Sequence, residues 1–221
     1  MPAEALKEKP YRTLKAESCD EFIEKRSRFI GYARPVKTEE EALEFIKQMK
    51  ARHWDATHNV YAYSLRQGQI RRFSDDGEPQ GTAGIPVLEV LTKRQITDAV
   101  VVVTRYFGGI LLGAGGLVRA YSHGAGLGVE ASGIVTMAPC VTASLQCAYD
   151  QYGRVSALIP SCGGVIDDTV FEEAVSIRFH ILPRLLGGFE KDLADATCGR
   201  VEINIEGEEF FSFSEGETAD M

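Results

Sequence analysis

From Ala99 to Val103 the chain is unbroken by a polar residue, and only Thr104 closes the run. A strand with one wet face alternates apolar and polar positions. This one does not, so it predicts a strand covered on both sides. The stretches before it are more regular. His58 to Leu65 places Asn59, Tyr61, Tyr63 and Leu65 opposite His58, Val60, Ala62 and Ser64, the period of a strand, and Gln67-Gly68 marks a turn into a second strand from Gln69 to Ser74. Thr38-Glu39-Glu40-Glu41 has the form of a capping box. Ala42, Phe45, Ile46 and Met49 then recur at helical spacing, and the helix should end near His53. Residues 12–36 predict a hairpin of two strands, TLKAES and EFIEKRSRFIGYARPV. Pro86 to Thr92 predicts a short helix with proline near its first turn. Leu117, Val118, Tyr121, Ala125 and Val129 predict a longer one. Gly124, Gly126 and Gly128 in that helix each cost about 1 kcal/mol against Ala, which close packing on a sheet would offset.

Ala138-Pro139 reads as the boundary between two domains, 1–138 and 139–213, with an acidic tail at 214–221. Beyond it the pattern gives strand (Val141 to Ala148), helix (Gln151 to Ile159), strand (Gly164 to Asp167), strand (Glu172 to Ile181), helix (Pro183 to Thr197) and strand (Arg200 to Ile205). That order is βαββαβ, the ferredoxin-like arrangement. Glu206 to Met221 is acidic and should fray. The fold class is therefore α+β: an N-terminal α/β domain followed by a ferredoxin-like domain.

Charge supports the division. The chain has 221 residues and a net charge of −8, yet Met1 to Ala138 carries 19 Lys and Arg against 17 Asp and Glu, while the remainder carries 5 against 15. Only the first part can present a basic surface to a phosphate backbone. No apolar run has the roughly 18–20 residues a membrane helix needs, and the N-terminus shows no apolar signal segment. Five cysteines without a CxxC pair suit reduced thiols and a cytoplasmic location.

The candidate chemistry lies between Arg71 and Tyr121. An acidic turn (Asp75, Asp76, Gly77, Glu78, Pro79) leads through Gly81, Thr82, Ala83 and Gly84 to the apolar strand. A glycine-rich corner follows it (Gly108, Gly109, Gly113, Gly115, Gly116). The carboxylates can hold Mg²⁺ or Ca²⁺, or they can cap backbone amides in a tight turn. The corner can offer amides to an anion at a helix start, or allow close strand–helix packing. Arg71, Arg72, Phe73, Arg105, Tyr106, Phe107, Arg119 and Tyr121 mix cations with aromatics, as a surface for RNA does; alternatively the arginines pair with Asp75, Asp76 and Glu78. The histidines lack HExxH spacing, there is no GxSxG, and no cofactor or metal site is expected. Trp54 and the Phe210, Phe211 and Phe213 side chains read as packing residues.

FSDDGEPQGTAGIPVLEVL followed by VVVTRYFGGILLGAGGLVRAYS resembles the signature of the IMPACT family in its bacterial, YigZ-type form. The resemblance extends over Tyr11 to Phe213. It implies an N-terminal fold shared with a small-subunit ribosomal protein domain, domain IV of elongation factor G and GHMP-type kinases, and a second domain like domain V of elongation factor G. Eukaryotic members regulate translation through a ribosome-associated activator of a stress kinase. The expectation is a non-enzymatic, translation-associated protein that engages RNA, the ribosome or a translation-linked protein. Its ligand-binding residues would be Arg71, Arg72, Asp75, Asp76, Glu78, Thr82, Arg105, Tyr106, Gly108, Gly109, Gly115, Gly116 and Arg119, gathered in one groove. The alternative is an enzyme that binds a phosphorylated or carboxylated small molecule with Mg²⁺.

Overall fold

The apolar run becomes β6 (Ala99–Tyr106), the middle strand of a five-stranded sheet with the order β2-β3-β6-β4-β5. The other strands are β2 (Ser18–Glu24), β3 (Ser27–Pro35), β4 (His58–Ser64) and β5 (Arg71–Ser74), every adjacent pair antiparallel. The structure, a computed structural model, describes residues 9–214, which divide into two compact units, Tyr11–Thr136 and Met137–Ser212.

In the first unit both faces of β6 are covered. Val100 and Val102 enter a core with Phe45, Ile46 and Met49 of α1 (Glu39–Arg52). Ala99, Val101 and Val103 enter a second core with Val87 and Leu91 of α2 (Gly84–Lys93) and Tyr121, Ala125 and Val129 of α3 (Ala114–Ser132). The α1 start follows its sequence: Thr38 Oγ1 accepts the Glu41 amide at 3.2 Å, and Glu41 Oε2 reaches back to the Lys37 amide at 2.6 Å.

Helix α3 crosses β3 at van der Waals range. A Cβ on Gly31 would lie 1.9 Å from the Gly124 carbonyl oxygen, and one on Gly128 would lie 2.8 Å from that of Gly31. Gly31 and Gly128 are thus required by the packing, while a Cβ on Gly124 would meet Val103 Cγ1 at 3.0 Å. Gly126 faces only the Arg94 side chain at 3.7 Å.

Two sequence expectations change here. Residues 12–36 hold three strands, because β1 (Tyr11–Leu14) pairs with β7 (Ile134–Cys147) rather than with its successor. The hairpin is β2–β3, turned by Lys25 and Arg26 at φ 45° and 65°. Trp54 is 83% exposed, so it does not pack.

The second unit follows the expected order: β7, α4 (Tyr149–Ser161), β8 (Val165–Phe171), β9 (Val175–Ile181), α5 (Pro183–Thr197) and β10 (Ile203–Ser214). Its strands run β10-β7-β9-β8, the ferredoxin-like sequence. Ile177, Phe179 and Ile181 pack with Val155 and Ile159 of α4 and Phe189 and Leu193 of α5. Strand β8 outlasts its expected end at Asp167 because it lies at the sheet edge, where a register shift between Ile166 and Asp168 absorbs the polar pair. Strand β10 likewise continues to Ser214 instead of fraying after Ile205, and the Phe211 ring stacks on His180 at 3.6 Å between centroids. The rest of the acidic tail, 215–221, lies outside the described residues.

Candidate functional site

The acidic turn and the glycine corner meet at the C-terminal end of β6. Glu78, Pro79, Gly113 and Ala114 line one open pocket of about 390 Å³, with Arg105 and His58 among its walls and Phe107, Leu111, Leu112 and Leu117 on its apolar side. The register explains this convergence. His58 on β4 sits directly opposite Arg105 on β6, and even-numbered residues of β4 share a face with odd-numbered residues of β6. The turn after β5 then carries Glu78 back over that pair.

Arg105 and Glu78 are almost wholly buried, at 5% and 9% exposure. Arg105 Nη1 donates to Glu78 Oε1 at 2.6 Å, the Tyr121 hydroxyl donates to the same oxygen at 2.7 Å, and His58 Nε2 lies 3.7 Å from it. Burial, reinforced by the Glu78 carboxylate, holds the Tyr121 hydroxyl far above its usual range, so it remains a donor. Nη2 of Arg105 donates to Ser27 Oγ at 3.4 Å, and its guanidinium lies 5.4 Å from the ring centres of Phe29 and Phe107. Its Nε has no hydrogen-bond partner among the described residues.

The other two carboxylates are used in the turn itself. Asp75 accepts the amides of Gly81, Ala83 and Gly84 at 3.0, 3.1 and 2.8 Å, which caps the start of α2. Burial works to raise the Asp75 carboxyl, but these three donors hold it below its usual value. Asp76 accepts the Asn59 amide at 2.7 Å and pairs with Lys50 at 2.6 Å, while its carbonyl accepts from His58 Nδ1–H at 2.8 Å. Thr82 Oγ1 donates to the Pro79 carbonyl at 2.6 Å. The three acids therefore do not converge, and among the described residues no group of three or more His, Cys, Asp or Glu side chains is arranged to hold a metal ion.

Not every expected residue reaches this place. Arg71 and Arg72 pair with Ser64 and Tyr63, which face Ala99 and Val100 on β6. They lie five or more residues along the sheet from Arg105, about 17 Å at 3.3–3.4 Å per residue. Tyr106 follows Arg105 and so points to the opposite face. Its hydroxyl accepts from His53 Nδ1–H at 2.9 Å and donates to Asp55 at 3.2 Å. A single groove holding all thirteen residues does not form.

The glycines split as well. A Cβ on Gly108 would fall 2.0 Å from the Arg26 carbonyl carbon, so this glycine lets the β2–β3 turn lie against the corner. Gly109 and Gly115 face open space. Gly113 precedes α3 at φ 73° without a side-chain cap, and the first amide bonded back is that of Leu117, to the Gly113 carbonyl at 2.9 Å. Gly116 and Arg119 line a second pocket of about 300 Å³ with Phe22, Lys25 and His123. Those last three were missed from sequence. The basic Lys25-Arg26 step between two strands was the available signal, because a two-residue hairpin turn projects its side chains from the tip.

The Impact N-terminal domain model matches residues 25–128, and a second model, a domain of unknown function (DUF1949), matches residues 145–200. The chain is 38% identical to the IMPACT family member YvyE of Bacillus subtilis, over 90% of this chain and 91% of that protein. The chain belongs to the IMPACT family. It is also 35% identical to the IMPACT family member YigZ of Escherichia coli, over 81% of this chain and 89% of that one. A solved structure described as that of a hypothetical protein is similar at 33% identity, with a TM-score of 0.57, over 89% of this chain and 97% of its own. The protein IMPACT homolog of Dictyostelium discoideum is 39% identical over 45% of this chain, but over only 29% of its own length. In this IMPACT family chain the pocket beside Glu78 falls within the segment matched by the N-terminal domain model, and the second pocket does so except for Phe22 and Glu24. Among the described residues no helix is long and apolar enough to cross a membrane.

Proposed function

We propose that this protein is a non-enzymatic, translation-associated binding protein of the cytoplasm that engages RNA of the translation machinery through its N-terminal unit. One observation carries the reading. The turn residues Lys25 and Arg26 lie against the glycine corner, and Lys25 shares a pocket with Arg119 and His123 of α3. Next to Gly108 the Phe107 ring is 46% exposed. Cations beside an accessible aromatic ring suit a phosphate backbone with unstacked bases. Lys25 and Arg26 also hold left-handed backbone conformations that glycine or asparagine adopts more easily, a strain of the kind that collects at functional positions. The five free cysteines suit a reducing compartment.

This reading keeps Arg119 and replaces Arg71, Arg72 and Arg105 with Lys25 and Arg26 as its electrostatic partners. Binding of the full chain to single-stranded RNA, measured at two salt concentrations and alongside ribosome co-sedimentation, tests it. Affinity should fall with salt, with a slope of about −0.7 per phosphate neutralised. Lys25→Glu with Arg119→Glu should abolish it, while Arg71→Glu with Arg72→Glu should leave it unchanged. Affinity indifferent to salt and to the first pair would reject RNA. Co-sedimentation that survives under those conditions would point to a protein partner.

A further inference from the structure

We infer that the free edge of β5 is a docking site for an extended, acidic segment of a partner protein, taken up as an added strand of the first sheet. Strand β5 stands last in the sheet order, and Arg71, Arg72 and Phe73 are all exposed. The Leu65 amide donates to the Ile70 carbonyl, directly across the hairpin, at 2.8 Å. Bonded and non-bonded pairs alternate along an antiparallel ladder. Tyr63–Arg72 is therefore a bonded pair, whereas Ser64–Arg71 and Ala62–Phe73 are not. The amides and carbonyls of Arg71 and Phe73 thus point away from β4, at the alternate-residue spacing that strand addition uses. Arg72 Nη1 donates to the Arg71 carbonyl at 3.1 Å, which leaves that oxygen's second lone pair and the other three groups open among the described residues.

Charge and apolar surface define the strand that fits. Among the described residues neither guanidinium has a carboxylate within ion-pair distance. The acids nearby are engaged elsewhere: Glu39 accepts from the Tyr63 hydroxyl, Asp75 caps α2, and Asp76 pairs with Lys50. Register sets Arg71 and Phe73 on the α2 face of the sheet and Arg72 on the α1 face. The start of α2 lies beneath Phe73, where a Cβ on Gly84 would meet the ring at 2.8 Å. Phe73 is nonetheless 44% exposed, and Ile85, the next residue of α2, is 41% exposed. An added strand therefore meets carbon opposite Phe73 and a cation opposite each arginine, and opposite charges across a ladder attract. Two copies paired β5 to β5 would bring arginines together, so a short charged edge disfavours self-pairing. RNA is the poorer occupant, because a phosphate can use the outward amides but not the outward carbonyl of Phe73.

Fluorescence polarisation of the full-length chain with a labelled peptide, Thr-Val-Glu-Glu-Val-Thr, tests this. The peptide reads the same in both directions, so it sets a valine against Phe73 and a glutamate against each arginine in either strand orientation. It should bind saturably, and at least about tenfold more tightly than Thr-Val-Lys-Lys-Val-Thr or than the same glutamate peptide N-methylated along its backbone. Arg71→Glu with Arg72→Glu changes exposed side chains only, so Tm should hold while the preference reverses to the lysine peptide. In the wild type the glutamate peptide should slow hydrogen exchange at the amides of Arg71 and Phe73. Absence of saturable binding, an N-methylated peptide that binds as well, or unchanged exchange at those two amides would overturn the inference. Single-stranded RNA binding lost on the same charge reversal would give the edge to nucleic acid instead, and self-association lost on it would give the edge to a second copy. The RNA contact at Lys25 and Arg119 lies on other elements, so either proposal can fail while the other stands.

Discussion

Arg105 is the residue whose role is decided by its neighbours. In isolation it is a cation near a glycine corner. In the fold it is a buried partner of Glu78, with Tyr121, Ser27 and two aromatic rings around it. Removing one member of a buried ion pair leaves the other charge without compensation. Arg105→Ala should therefore destabilise the protein by about 3–5 kcal/mol. The double variant Arg105→Met with Glu78→Gln should recover most of that loss, because the glutamine still accepts from Tyr121 and no charge remains buried. Urea unfolding of the wild type, Arg105→Met, Glu78→Gln and the double variant measures the coupling. Equal losses in Arg105→Ala and the double variant would show that the pair does not act as a unit. At this scale the sequence revealed which residue types gather near the corner, but not how they pair. Pairing follows from register: a single residue separates Arg105, which faces the pocket, from Tyr106, which faces away from it, and no pattern in the all-apolar run tells the two faces apart.

Among the elements, α3 shows how close packing sets the sequence. Its glycines look equivalent along the chain, and each lowers helix propensity by about 1 kcal/mol against alanine. Their surroundings separate them: a Cβ on Gly128 would meet the Gly31 backbone of β3, on which the helix rests, whereas Gly126 stands clear of it. Gly31→Ala would drive a methyl to within 1.9 Å of the Gly124 carbonyl oxygen, so β3 and α3 would have to part. The expected cost is about 3 kcal/mol. Gly126→Ala meets only a flexible arginine end at 3.7 Å and should stabilise the protein by about 0.5–1 kcal/mol. Opposite shifts in Tm for these two variants are the expected outcome; a stabilised Gly31→Ala would contradict the packing account. The helices were legible because their apolar spacing and caps are local: α5 runs from Pro183 to Thr197 as expected. The strands β1 and β8 were not. A short edge or bridging strand takes its identity from a distant partner, and neither the β1–β7 pairing nor the irregular register of β8 leaves a mark within its own residues.

Across the whole molecule, the sequence conveyed the α+β class and the ferredoxin-like order, since both depend on the succession of elements. It conveyed charge as a sum, however, and the sum conceals where protons are bound. His53 is 9% exposed on the α1 side of the first sheet. Because Tyr106 donates to Asp55, its oxygen accepts from His53 Nδ1–H, and Nε2 accepts from Tyr32 at 2.7 Å. The ring is thus held neutral. Burial lowers its pKa, the cations Arg52 and Arg28 lower it further, and Asp55 only partly opposes them. The unfolded chain, with an ordinary histidine near 6.5, takes up a proton first as pH falls. Stability is therefore complete above about pH 6.5 and declines below it, by up to about 1.4 kcal/mol per pH unit, until the folded histidine also titrates. Asp75 acts in a separate and lower window, because its depressed carboxyl adds stability above the ordinary aspartate value of 3.8 and loses it as pH falls through the folded one. Thermal unfolding from pH 8 to 4 should show the first decline in the wild type and in Asp75→Asn. In His53→Gln, which keeps a donor and an acceptor without a titrating ring, that decline should flatten between pH 6.5 and 5. An unchanged slope in His53→Gln would assign the acid sensitivity to another group.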